Sequence, residues 1–335
     1  MPPFWRESGR NITLERAHVQ GYELVVAPLA FNGHFHLHFY PTLPSILRHS
    51  RPEVCHIDEE PYNLATYLAL RAAHRVRART LFFTWQNILR RYPIPFRSMA
   101  GYVHRHVSGA IAGSRDAVDV LRKKGYTGPI RVIPQFGVDP ELFHPVAGGR
   151  PDRPFTIGYA GRLVQQKGLG TLVDALGDLS GDWRLILCGT GPMRDLLRAR
   201  FSSLGLASRV HRHDHVPSEQ MPHCLRMMDV LILPSLTRPN WQEQFGRVLI
   251  EAMACEVPVI GSDSGEIPNV IGQCGLIFPE GDAGSLRQLL ALLRDDVQRR
   301  RELGVAGRNR VLAHYTHAKI AEATVAFYRE LGGQS

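Results

Sequence analysis

Residues 233–268 read LPSLTRPNWQEQFGRVLIEAMACEVPVIGSDSGEIP. Just before them, Val230 to Leu233 form an apolar run that suits a buried strand. A polar loop follows and ends at Phe245-Gly246, where an apolar-periodic helix begins. Glycine there lets backbone approach a ligand, and a helix start offers unpaired N–H groups to an anion. Glu243 stands just before this predicted helix and Glu251 two turns inside it. Eight steps of about 100° leave the acids about 80° apart around the axis, so both border one cleft. An anionic, polyhydroxylated ligand suits such a cleft. Either acid alone is equally a solvated residue of an amphipathic helix.

Outward from this stretch, strand and helix patterns alternate along the whole chain. The pattern predicts strands at Glu23–Ala27, Val54–Ile57, Leu81–Thr84, Ala110–Gly113 and Arg131–Ile133, with helices such as Ala65–Ala78 and Arg115–Lys124 between them. It resumes at Thr156–Tyr159, Arg184–Cys188, Val230–Leu233, Val257–Gly261 and Gly275–Phe278. Such alternation predicts an α/β protein with doubly wound parallel sheets. A length of 335 residues suits two domains. The Pro-, Gly- and charge-rich run PVAGGRPDRP (Pro145–Pro154) supplies a linker. The expected division is 1–146, a linker at 147–154, a second domain at 155–310, and a C-terminal helix in 311–335.

Hydrophobic content of 44% and charged content of 21% are ordinary for a globular protein. No apolar run reaches the length of a membrane span, and the opening MPPFWRESGR lacks a signal-peptide core. Five cysteines without a Cys-x-x-Cys pair read as reduced core residues, which gives a cytoplasmic expectation. The net charge of +9 is concentrated in the first 150 residues, with 19 Lys+Arg against 11 Asp+Glu. The remainder holds 21 against 20. Arginines interleaved with Tyr92, Phe96 and Tyr102 suit either an anionic membrane surface at its inner face or an arginine-rich soluble surface. No nucleic-acid motif accompanies the charge.

The ordered string Pro234-Ser235, Glu243, Glu251, Phe245-Gly246, Ala252-Met253-Ala254 and Pro258-Val259-Ile260-Gly261 resembles the donor-binding signature of retaining glycosyltransferases of the GT-B fold, the family 4 or group 1 type. The resemblance runs from about Val54 to the C-terminus. It implies two Rossmann-like domains facing a cleft, with the last helix crossing back to the first. Members normally open with a strand, a glycine-rich turn and a helix. The chain from Met1 reads like the segment after that unit, so the first domain is expected to be shortened at its N-terminus. A sheet without its first strand has an unpaired edge, which leaves homo-oligomerisation open.

The resemblance assigns roles residue by residue. Arg162 and Lys167, in GYAGRLVQQKGL (Gly158–Leu169), match the basic pair that clamps the donor diphosphate. They answer the negative charge that the leaving group gains, and Lys167 is one of only four lysines. Glu251 would bind the ribose hydroxyls, and Glu243 the hydroxyls of the transferred sugar or charge at the anomeric centre. Gln244, Phe245 and Gly246 would cap sugar and phosphate at the helix start, with Val248 on the same helix. Gly161, Gly189 and Gly191 would line the nucleotide pocket, although a tight turn explains Gly189-Thr190-Gly191 as well. His215 and Val216 would face the base. Glu59 and Glu60, in HIDEEPYN (His56–Asn63), would meet acceptor hydroxyls or serve as helix-start acids. Gln86, grouped with Glu59 and Glu60 on the acceptor side, stands where many relatives carry a histidine against the donor sugar, and its amide hydrogen-bonds without shuttling a proton.

The alternating histidines 34, 36 and 38, and 211, 213 and 215, have no cysteine or paired acid to complete a metal site. The class that the chain resembles works without a catalytic metal, so the resemblance implies a metal-independent enzyme without a cofactor. It would move a hexose from a nucleoside-diphosphate sugar, such as GDP-mannose or a UDP-hexose, to a glycan or lipid-linked acceptor in polysaccharide biosynthesis. The rivals are a non-catalytic or partner-dependent donor-binding protein and a GT-B sugar-nucleotide epimerase.

Overall fold

A computed structural model describes residues 1–7, 10–14, 16, 19–146 and 153–333. The expected linker lies mostly outside the described residues. The chain forms two compact units, Met1–Ile133 with Thr324–Ser335, and Pro134–Ala323.

The first unit begins with an antiparallel hairpin of β1 (Phe4–Glu7) and β2 (Arg10–Thr13). Its main sheet is parallel, in the order β3 (Val54–Ile57), β4 (Arg79–Thr84), β5 (Gly109–Ala112) and β6 (Ile130–Val132). Leu81, Phe82, Ala110, Ile111 and Ala112 are almost fully buried, as strands covered on both faces require. The helix Leu64–Arg75 connects β3 to β4, Phe96–His106 connects β4 to β5, and Arg115–Lys123 follows β5. Ser114 caps the last of these by accepting from the Ala117 amide at 3.2 Å. The C-terminal helix His317–Gly332 joins this unit from Thr324 onward. Its Phe327 and Leu331 lie so close to Gly109 that a Cβ there would sit 2.9 Å from each.

The strand expected at Glu23–Ala27 does not form. Residues 23–29 are irregular, and their backbone pairs with the chain start instead, Ala27 N to Met1 O at 2.9 Å and Met1 N to Val25 O at 2.8 Å. Val25 and Val26 each remain 38% exposed, so strand-like composition found no sheet face to bury it. The histidines 34, 36 and 38 also lie in successive turns rather than on a strand.

The second unit carries a six-stranded parallel sheet in the order β12-β11-β10-β7-β8-β9. Its strands are β7 (Phe155–Ala160), β8 (Trp183–Cys188), β9 (Val210–His213), β10 (Val230–Leu233), β11 (Val259–Ser262) and β12 (Leu276–Phe278). Ile157, Leu185, Val230, Leu231, Ile232 and Ile260 are fully buried, each stabilising the fold by about 1.5–3 kcal/mol on area grounds. Strand order reverses between β7 and β10, and the carboxyl ends of strands at such a switch point are where open α/β sheets bind ligands. All five cysteines are free thiols, with Cys188, Cys224 and Cys255 buried. No helix among the described residues is long and apolar enough to cross a membrane.

Candidate functional site

The expected nucleotide-side residues leave the carboxyl ends of four strands of the second unit. Gly161, Arg162 and Lys167 follow β7; Gly189 and Gly191 follow β8; His215 and Val216 follow β9; Glu243 to Glu251 follow β10. The loop after β7 is tied to the loop after β10 by backbone. Leu236 N donates to Gln166 O at 2.8 Å. Gly168 closes the turn Gln165–Lys167 with φ of 67°, and a Cβ there would lie 1.7 Å from Pro234 O. Only glycine fits that approach.

This suture delivers Lys167 to Glu243. Lys167 Nζ lies 2.5 Å from Glu243 Oε2, with side chains 15% and 9% exposed. The same Oε2 accepts from Ser235 Oγ at 2.7 Å. Trp241 completes the setting, its ring centroid 5.3 Å from the ammonium. Glu243 itself is held from below. Its carbonyl oxygen accepts from Glu266 N at 3.1 Å, beside Gly265, whose φ is 52°. A Cβ on Gly265 would fall 2.1 Å from that carbonyl.

The helix spans Arg247–Ala254 with Gly246 as its N-cap, so Glu251 sits one turn inside rather than two. Glu243 precedes it in the loop, placed by Lys167, Ser235 and Glu266 rather than by helical phase. Glu251 is 6% exposed. Burial raises its carboxyl above the usual range, opposed by Arg247, whose Nε lies 2.6 Å away. Phe245 is buried and stacks obliquely with Phe136, while Val248 is half-buried on the helix.

Gly189 N donates to His213 O at 2.8 Å, and Thr190 O accepts from Leu163 N at 2.8 Å. The turn Gly189–Gly191 therefore folds against the segment that carries Arg162. Arg162 is exposed, and Tyr159 Oη donates to its carbonyl oxygen at 2.9 Å. His215 is exposed and Val216 half-buried beyond β9. Among the described residues no group of three or more His, Cys, Asp or Glu could hold a metal ion.

Glu59, Glu60 and Gln86 lie in the first unit, each with partners in the fold. Glu59 binds His38 Nε2 at 3.0 Å and Asn63 Nδ2 at 2.7 Å. Burial disfavours a charged His38, but Glu59 outweighs it and raises the histidine above its usual range. Glu60 accepts from Thr84 and the Trp85 amide, and Gln86 from Lys124.

Residues 142–310, half of the chain, match the family described as Glycosyl transferases group 1, and residues 4–142 match Glycosyltransferase Family 4. The chain belongs to the group 1 glycosyl transferases.

Relatives include an alpha-maltose-1-phosphate synthase of Mycolicibacterium smegmatis, 31% identical over 66% of this chain and 62% of the relative. An MMP alpha-(1->4)-mannosyltransferase of Mycolicibacterium hassiacum is 29% identical over 73% of this chain and 60% of its own. The matched region thus spans less than two thirds of these curated relatives. Among solved structures, a glycosyltransferase of Rickettsia africae superposes with a TM-score of 0.73 at 18% identity, over 88% of this chain and 80% of that one. Anabaena Alr3699/HepE in complex with UDP gives 0.71 at 19% identity, over 87% and 82%. The architecture is accordingly GT-B, with one Rossmann-like parallel sheet in each unit.

In this candidate site, Ser235 was read only as part of the signature string, and Trp241, Arg247 and Gly265 were not singled out from sequence. Ser235 and Trp241 surround the Lys167–Glu243 pair, Arg247 flanks Glu251, and Gly265 supports Glu243. Arg247 was legible as an i,i+4 partner of Glu251. A tryptophan within a polar loop was a signal for Trp241. Nothing local marked Gly265, because its constraint comes from the backbone of a residue 22 positions earlier.

Proposed function

We propose that the protein is a hexosyltransferase that moves a sugar from a nucleoside diphosphate to a glycan or lipid-linked acceptor, with retention of anomeric configuration. One observation carries the reading: a nearly buried ammonium–carboxylate pair, Lys167 and Glu243, at the carboxyl ends of β7 and β10. A pair so placed joins a cation for the diphosphate to an acceptor for sugar hydroxyls.

In this reading Lys167 and Arg162 meet the diphosphate, and the helix start at Gly246 adds backbone donors. Glu251 accepts from the ribose hydroxyls, with Arg247 keeping it ionised. Gly161, Gly189 and Gly191 line the nucleotide, and His215 and Val216 face the base. Gln244, Phe245 and Val248 border the sugar. The anomeric C–O bond to the β-phosphate breaks, and the acceptor oxygen bonds to the same face. The acceptor proton passes to the leaving phosphate oxygen, so Gln86 need not act as a base. No metal is required, since Lys167 and Arg162 answer the developing charge.

Uridine and guanosine sugars are both supported as donors. Alr3699/HepE was solved with UDP-glucose, and a 32% identical relative over 53% of this chain is a GDP-mannose-dependent mannosyltransferase acting on a phosphatidylinositol monomannoside. The arginine-rich first unit fits a lipid-linked acceptor at an anionic surface. The test is incubation with each nucleotide sugar and with lipid-linked or glycan acceptors, reading diphosphate release and product by NMR. An α-linked product from an α-linked donor supports the proposal. An inverted product, or diphosphate release with no glycoside formed, refutes it.

A further inference from the structure

A polar cluster in the first unit, with Thr84 buried and Glu60, Gln86 and Lys124 half-buried, takes no part in the nucleotide site. The loop after β3 carries Glu60 to the end of β4. There Glu60 Oε2 accepts from Thr84 Oγ1 at 2.6 Å, and Oε1 accepts from the Trp85 amide at 2.9 Å. Thr84 Oγ1 in turn accepts from the Gln86 amide at 3.1 Å. Three consecutive residues leaving β4 therefore hang on one carboxyl group.

Lys124 grips the same turn through the Gln86 side chain. It follows the helix Arg115–Lys123 and donates from Nζ to Gln86 Oε1. The ammonium also lies 5.5 Å from the ring centroid of Tyr62 and 5.0 Å from that of Tyr92. These two rings stack at 4.1 Å. An ammonium only donates, so its bond dictates that the amide oxygen of Gln86 faces Lys124. The amide nitrogen is left as a donor that is buried and without a hydrogen-bond partner among the described residues.

We propose that Glu60 and Lys124 are positioning residues: a two-sided clamp that sets the path of Thr84–Trp85–Gln86 and the facing of the Gln86 amide. This rests on the reading of that turn as acceptor-side. Half-buried ionisable groups add little net stability, so a carboxyl and an amine that each hold one turn serve its orientation. Burial pushes Glu60 up to about 7, and burial lowers Lys124 to about 8 against the attraction of Glu60. The other titratable groups facing them are Glu59 on the same loop, Tyr62, Arg90 and Tyr92, and His104 and Arg105 of the helix Phe96–His106.

The test is fluorine NMR of the full chain labelled with 5-fluorotryptophan, with Trp85→Phe assigning the Trp85 signal. Glu60→Ala and Lys124→Met are expected to move or broaden that signal and leave those of Trp183 and Trp241, in the second unit, unchanged. Lys124→Arg keeps a donor and should restore it. An unmoved Trp85 signal in both variants overturns the clamp. Should either variant fail to fold, Gln86→Ala severs the Lys124 side alone, and an unmoved signal there overturns it equally. In the transfer reaction, Lys124→Met should raise the acceptor KM roughly tenfold with nucleotide affinity unchanged. Equal loss of both would mark a merely structural role and overturn the proposal. The NMR readout needs no turnover, so failure of the transfer reading leaves it standing.

Discussion

Lys167 Nζ and Glu243 Oε2 lie 2.5 Å apart although the residues are separated by 76 positions, and both side chains are largely buried. The loop after β7 and the loop after β10 are thus joined by charge as well as by backbone. Lys167→Met leaves the Glu243 carboxylate with the Ser235 hydroxyl but without its ammonium, at a cost of about 3 kcal/mol. Pairing it with Glu243→Gln should recover part of that loss. Urea unfolding of the two single variants and the double variant measures the coupling, expected at about 1–3 kcal/mol. In the transfer reaction, Lys167→Met should lower turnover by about 100-fold or more.

Glu251 and Arg247 form a second pair, with the acid buried and the guanidinium half exposed. Glu251→Ala should weaken nucleotide binding roughly tenfold or more, about 1.4 kcal/mol. Arg247→Ala removes the group that opposes the effect of burial, so the Glu251 carboxyl rises further. In the proposed site ribose hydroxyls need the ionised form as their acceptor, so binding should weaken as pH falls. In Arg247→Ala that weakening should begin at higher pH than in the wild type. Calorimetric titration with nucleotide between pH 5 and pH 8 reads both effects.

Gly168 and Gly205 have nearly the same backbone, with φ of 67° and 69°. A Cβ on Gly168 would meet Pro234 O at 1.7 Å, whereas one on Gly205 has nothing within 4 Å. Gly205→Ala should therefore cost about 1 kcal/mol, the strain of a left-handed alanine. Gly168→Ala should cost about 3 kcal/mol or more, because the two loops must part. It should also disturb the Lys167–Glu243 pair. Chemical denaturation separates the variants.

Glu60 supplies a pH dependence of stability. Its folded pKa of about 7 lies above the ordinary 4.5. The stabilisation from its protonated form is therefore full below pH 4.5 and lost as pH rises through 7. Lys124 runs the other way: lowered from 10.5 to about 8, its contribution is present above 10.5 and lost as pH falls through 8. Between pH 4.5 and 7 Glu60 acts alone of the two. Glu60→Gln mimics the protonated form, with its amide donating to Thr84 and its oxygen accepting from Trp85. Relative to this variant, the wild type should lose on the order of 3 kcal/mol across that window. Equal slopes of unfolding free energy against pH would contradict the assignment.

The sequence carried most of the frame. Fully apolar runs such as Val230–Leu233 have one stable use in an alternating chain, as strands buried on both faces. Their boundaries moved by a residue or two, as at Phe155–Ala160, where the apolar pattern fades gradually. The strand β9 escaped because VHRH at the sheet edge is mostly exposed and lacks a hydrophobic signature. Val25 and Val26 misled in the opposite sense: their composition is strand-like, but the chain start claimed their backbone partners.

At the site, the elements were legible and the connections were not. Glu243 and Glu251 could be marked as acids of one motif. That Glu243 faces Lys167, and is propped by Glu266 and Gly265, depends on parallel strands bringing distant loops together. The inward-held Gln86 was equally hidden, since its partner Lys124 reads locally as one more charge at a helix end.

The central claim, a nucleoside-diphosphate sugar held between Lys167 and Glu251, is tested most directly by thermal-shift titration with UDP-, GDP- and ADP-hexoses. The wild type should be compared with Lys167→Met and Glu251→Ala. Stabilisation by one base, reaching about a 5 °C rise at about 100 times Kd and still growing with concentration, and weaker in both variants, is the expected result. No rise with any donor, or an equal rise in all three proteins, would contradict the site.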